Sequence, residues 1–198
     1  MKRRFQIVAV ALAFGFALSG CGNDSGQSGG SGSARTSKSS KDTKESGMNM
    51  QEAAERADGM LDAVLKEIDP EVQWAHGPTT TGSCDVTRRR TVMTIVSAER
   101  RQSFLDQVEK FWRESEYRIK AKNNDKEFPA VYAQTKAGFG ISVSFRGKGQ
   151  AYFEADSPCV KESKVAAPTS KPNGPAYEGV YPIPRPNVRS DYWSSGAS

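Results

Sequence analysis

Beyond residue 21, apolar side chains crowd into one stretch, 48–160, and that confinement decides where a core can form. Residues 22–47 are mostly Gly, Ser, Lys, Thr and Asp, with too few apolar groups to offset the entropy of ordering them. They read as a flexible tether reaching roughly 28 Å, taking 5–6 Å times the square root of the length. Residues 161–198 are rich in proline and show no helical apolar period. Within them, "YPIPRPNVRSDYW" (181–193) leans towards polyproline II. This end reads as a disordered tail. A second reading makes Tyr181, Tyr192 and Trp193 a docking strip, on this domain or on a partner. The globular unit is therefore 48–160, long enough for a single core.

Inside that unit the apolar period changes along the chain. Met50, Ala53, Ala54, Ala57, Met60, Leu61, Val64, Leu65 and Ile68 recur at three and four, which predicts a helix. Asn49 with Glu52 three residues on makes a capping box, and Asp69-Pro70 stops the helix. Glu52, Glu55, Asp58 and Asp62 are assigned to its solvated face. Val72, Trp74 and His76 alternate as a strand, and "GPTTTGS" (77–83) reads as a turn or loop. A strand lies within Cys84–Val96, where the parity is mixed and predicts a bulge or burial on both faces. Ser97 is placed to cap a second helix with an inner face of Phe104, Leu105, Val108, Phe111 and Trp112. Alternation then predicts strands around Ile119, Val131, Phe139–Phe145 and Ala151–Ala155. The order α-β-β-α-β-β-β-β predicts an α+β fold, a two-layer sandwich with both helices on one face of an antiparallel sheet.

The opening segment has a different character. Met1-Lys2-Arg3-Arg4 is basic and Phe5–Leu18 is uncharged, the pattern of a secretory signal. The run is too short to cross a bilayer, which takes about 20 apolar residues. It ends in Leu18-Ser19-Gly20-Cys21, which resembles the lipobox of bacterial lipoproteins position by position. The resemblance covers residues 1–21. It implies cleavage after a 1–20 signal peptide, a diacylglycerol on the Cys21 sulfur, and retention on the extracytoplasmic side of the cell membrane. Two acyl chains hold firmly where one does not. The layout, residues 21–47 as lipidated cysteine and tether followed by one compact domain, loosely resembles small actinobacterial lipoproteins of unassigned function.

With Cys21 acylated, Cys84 and Cys159 remain, and an even remainder in an oxidising compartment reads as one disulfide. A metal site needs more ligands than the lone His76 supplies, so no metal and no cofactor is expected. Removing Lys2, Arg3 and Arg4 with the leader leaves 25 basic against 23 acidic residues, a net of +2 in place of +5. That near-neutrality, together with export, argues against nucleic acid.

Signatures of catalysis are sparse: no G-x-S-x-G, no phosphate loop and no H-E-x-x-H occurs. If the helices cover one sheet face, Arg118, Lys120, Lys122, Arg146 and Tyr152 fall on the other. Arg88, Arg89 and Arg90 extend that polar, partly basic face. The expectation is a non-catalytic binding face for an envelope protein, a lipid head group or an anionic envelope polymer. Two alternatives stand beside it. One is a cell-envelope enzyme, or its accessory subunit, using His76 and nearby acids. The other is a structural spacer without a ligand.

Overall fold

Helix α1 (Met50–Lys66) begins where the capping signal placed it. The Glu52 amide donates to Asn49 Oδ1, and the Asn49 amide donates to a Glu52 carboxylate oxygen, at 3.0 and 2.9 Å. Two of the amides that a helix start leaves orphaned are thereby satisfied. The protein is described here from a computed structural model covering residues 47–174 and 185–196. The leader, Cys21, the tether as far as residue 46 and Tyr181 lie outside the described residues.

The strands follow as β1 (Trp74–His76), β2 (Thr80–Thr81), β3 (Val86–Val92), β4 (Arg118–Asn123), β5 (Ala130–Gln134), β6 (Gly140–Arg146) and β7 (Gln150–Asp156). Helix α2 (Arg101–Glu114) lies between β3 and β4. All ladders are antiparallel, in the order β1-β3-β7-β6-β5-β4, with β2 paired beside β1 on the same edge of β3. The two helices lie on one face of this sheet, α1 over β3 and β7, α2 over β4 and β5. This is the expected α+β sandwich. The added element is β2, a two-residue pairing of Thr80 with Thr87 and Thr81 with Val86 inside the loop at 77–83.

Alternation explains the core. On β6, Ile141, Val143 and Phe145 are buried while Ser142, Ser144 and Arg146 are half-buried. Phe104 of α2 meets Phe145 edge-on at 5.5 Å and Phe153 at 6.1 Å. Such pairs contribute about 0.5–1.5 kcal/mol beyond their buried area. The Cys84–Cys159 disulfide joins the residues flanking the paired ends of β3 and β7. It closes a loop of 75 residues, which in the chain-entropy account stabilises by about 4 kcal/mol.

Two local expectations are corrected and one is decided between its two alternatives. Ser97 makes no side-chain cap; a 3-10 turn, Ala98–Arg100, leads into α2 instead. The mixed parity of β3 resolves as burial on both faces, because helix α1 covers one and neighbouring chain covers the other. The globular unit does not stop at Val160. Residues 161–174 run as a strap beside α1 and along the outer edge of β1. There the Met50 amide donates to Lys161 O, Trp74 N donates to Asn173 Oδ1, and Gly174 N donates to Trp74 O. Further on, Val188 pairs with the Met93–Ile95 segment and Trp193 is fully buried against Phe104 at 5.3 Å. A buried tryptophan removes some 150–250 Å² from water, about 4–6 kcal/mol gross. That gain offsets the entropy of ordering the segment, and it is the second reading of the tail, docking on this domain, that describes Trp193.

Candidate functional site

Strand registers assign every side chain to a face. The outer face, away from the helices, carries three cross-strand rows. The first is Arg118, Gln134, Gly140, Asp156 and Thr87; the second is Ala121, Tyr132, Ser142, Glu154 and Arg89; the third is Asn123, Ala130, Ser144, Tyr152 and Thr91. Burial divides this face in two. Towards β1 and β3, Ala75, Thr91, Gln150 and Tyr152 are buried, and Arg146 lies 3.7 Å over the Tyr152 ring. Arg89 is tied to Glu154 at 2.6 Å and Thr87 Oγ1 donates to Asp156 at 2.7 Å. Towards β4 the face is bare. Tyr132 stands 44% exposed, opposite Ala121 on one side and Ser142 on the other.

The predicted basic face is therefore only partly assembled. Arg118 is exposed beside Gln134, with 3.4 Å between Nη2 and Oε1. Lys120 sits in a β-bulge, where the register slips between Ile119 and Ala121. One extra residue reverses the parity of the rest of the strand. Ala121 consequently joins the outer face, and Lys122 turns to the helix side and pairs with Glu109 of α2 at 2.6 Å. That hydrogen bond, opposed by partial burial and assisted by Arg113, holds Glu109 below the usual carboxylate range. Arg146 and Tyr152 stack on one another in the buried half. Alternation alone gave the wrong face for Lys122 and took Tyr152 to be exposed.

Arg88 and Arg90 are also corrected. They share the helix side of β3 with Val86 and Val92 and are 1% and 0% exposed. Arg90 Nη2 lies 2.8 Å from Asp58 and 3.0 Å from Asp62. Arg88 Nε lies 3.0 Å from Asp58 Oδ2 without hydrogen-bond alignment, while Nη1 donates to Thr79 Oγ1 and Nη2 to Ala166 O. Asp58 and Asp62 are one helical turn apart, so both face β3. Guanidinium groups suit such sites because their donors form a fixed fork. Burial pulls the Arg88 pKa below its ordinary value, and Asp58 opposes that pull. The strap closes over the cluster: Arg90 Nη2 donates to Ser170 Oγ at 3.0 Å.

His76 belongs to the same assembly. Its Nε2 lies 2.8 Å from Ser170 O, its ring stands edge-on to Trp74 at 5.4 Å, and Nδ1 is buried without a partner among the described residues. Burial lowers its pKa; the Ser170 contact opposes this and the nearby Arg90 reinforces it. A cavity of about 340 Å³ lies close by, lined by Asp62, Glu71, Trp74, Ser170 and Asn173, but His76 is not on its wall. Among the described residues no group of three or more His, Cys, Asp or Glu gathers to hold a metal, and no helix is long and apolar enough to cross a membrane.

The exposed aromatic groups are what sequence reasoning missed. Phe128, 49% exposed, projects from the β4–β5 turn. Asp125 Oδ1 fixes that turn by accepting from the Glu127 and Phe128 amides, and Asn123 Nδ2 donates to Phe128 O. The signal for Tyr132 was present, since it alternates with inward Val131 and Ala133. No known protein-family model matches this chain, and no curated protein sequence matches it.

Proposed function

We propose that this is an extracytoplasmic lipoprotein, anchored through acylated Cys21, that presents a non-catalytic binding face at the cell envelope. The anchoring reading rests on the lipobox at Leu18–Cys21. The binding reading rests on one observation: Tyr132 is a large aromatic side chain left 44% exposed on a sheet face that is elsewhere polar or covered. Contiguous exposed apolar patches mark interaction sites, whereas a single exposed aromatic is ordinary surface, so the reading rests on Tyr132 together with the polar groups around it. Arg118, Gln134, Ser142 and Asn123 surround it with donors and acceptors, so the partner class is an envelope protein or a polymer with anionic groups. An enzymatic role centred on His76 has less support, because the ring is held against the strap and lies off the wall of the cavity lined by Trp74 and Ser170.

The two parts are tested separately. Cys21→Ala should move the protein from membranes to the soluble fraction; retention on membranes refutes the anchor. Tyr132→Ala should reduce cross-linked neighbours on intact cells while leaving the melting temperature within about a degree or two, as for other exposed substitutions. An unchanged cross-linking pattern removes this face from consideration.

A further inference from the structure

A second site lies where the chain enters helix α2, with Arg101 reaching from it to Glu127 of the β4–β5 turn. We infer that the cleft between residues 95–101 and the Lys148–Gly149 turn binds a phosphate group. The cleft has a volume of about 500 Å³, and its lining includes Ser97, Ala98, Arg101, Lys148, Gly149 and Pro186. Its two walls are clamped together. Val96 N donates to Gly149 O at 3.0 Å, and the positive φ of Gly149, +68°, suits a position where a Cβ would collide with Val96 O. Lys148, itself at φ +62°, belongs to the same turn. The 3-10 turn Ala98–Arg100 and α2 run on continuously to Glu114, and the first amides of such a helix have no intrahelical acceptor.

Two further observations point to a ligand. Ser97 is 4% exposed and lines the cleft, yet its hydroxyl has no hydrogen-bond partner among the described residues. Arg101 lines it too; its Nη1 donates to Glu127 O, while its buried Nε is unpartnered. Buried polar groups are paired in the great majority of cases. Two donors idle on residues of one cleft, beside the ammonium of Lys148, are what a multi-oxygen anion would engage. A phosphate offers three acceptor oxygens, enough for a hydroxyl, a guanidinium and an ammonium together. The Glu99 carboxylate stands against Gly196, another lining residue, so an incoming anion is repelled from that side.

The phosphate can belong to a soluble phosphomonoester or to a lipid head group. The test uses the full chain carrying Cys21→Ser, so that no acyl chain contributes. Inorganic phosphate and glycerol 3-phosphate are titrated by calorimetry. Vesicles of phosphatidylglycerol, compared with phosphatidylcholine, test the lipid source by co-sedimentation. Saturable binding is expected. Lys148→Asn, which tolerates the left-handed backbone, and Ser97→Ala should each weaken it about tenfold, the equivalent of one charge-assisted hydrogen bond. Glu99→Gln should tighten it, and Tyr132→Ala should leave it unchanged. Binding of the soluble phosphates alone assigns a metabolite; additional binding of anionic vesicles, lost in Lys148→Asn, assigns a head group. The proposal is overturned if nothing binds, or if Lys148→Asn and Glu99→Gln titrate like the parent. It is also overturned if Ser97→Ala raises the melting temperature without weakening phosphate binding, for then the hydroxyl is merely unsatisfied.

Discussion

Strands β3 and β4 each carry three cations, and their surroundings are opposite. Arg88 and Arg90 of β3 are among the most buried side chains of the domain, and Arg89 is tied down on the outer face. Arg118, Lys120 and Lys122 of β4 all belong to exposed residues, on a strand that among the described residues pairs only with β5. The difference does not come from the basic run itself. It comes from what packs against it. Helix α1 brings Asp58 and Asp62 over β3, one turn apart, and the strap adds the Ala166 carbonyl and Ser170 hydroxyl. Helix α2 brings Glu109 to β4, which engages Lys122 alone of the three. Buried guanidinium groups need acceptors supplied by the fold; edge lysines need only water.

The largest effect that would break this comparison is at Asp58. Asp58→Ala leaves two buried guanidiniums without their shared acceptor and should cost about 3–5 kcal/mol in urea unfolding. A loss under about 1 kcal/mol would mean the cluster is hydrated and the contrast with β4 superficial. Replacing Asp58, Arg88 and Arg90 together by apolar residues of like volume should recover most of that loss. On β4, Lys122→Ala should cost at most about 1 kcal/mol, and Arg118→Ala should stay within about 0.5 kcal/mol.

Acid separates the two surroundings by window, for His76 of β1 stands opposite Arg90 of β3 and Glu109 of α2 pairs with Lys122 of β4. The pKa of His76 is lowered on folding, so the unfolded chain takes up that proton first. Its contribution is complete above the ordinary histidine value of about 6.5 and is lost as pH falls below it. Glu109 is also depressed, but from an ordinary value of about 4.3, so its contribution is lost only in more acidic solution. His76→Gln should flatten stability below about pH 6.5, and Lys122→Ala should alter only the limb below about pH 4.5. Coincident changes in both variants would show that the two sides are not independent.

The helices, the alternating core of β6 and the cysteine pair were legible because each depends on local period or parity. The polar assignments failed where a distant element decided the outcome. Val86, Arg88, Arg90 and Val92 have one parity, which the flanking valines mark as inward, yet all three arginines were assigned to the outer face. The acids on α1 were likewise assigned to solvent, because nothing local shows which helix face meets which strand. Lys122 was misplaced by a single bulged residue, for which Ile119-Lys120-Ala121 gives no warning. Tyr132 was legible by alternation, yet charge drew attention to the lysines instead.

The indole of Trp193 completes a core in which its partner ring Phe104, 5.3 Å away, was made far earlier in the chain. A recombinant fragment ended at Val160, where hydropathy suggests the domain is finished, would therefore leave a ring-sized hole and remove Ala166 O from Arg88 and Ser170 O from His76. Chain growth runs from the first residue to the last, so the nascent polypeptide meets the same gap. Its final packed state is reached only once residues 185–196 have emerged and folded back.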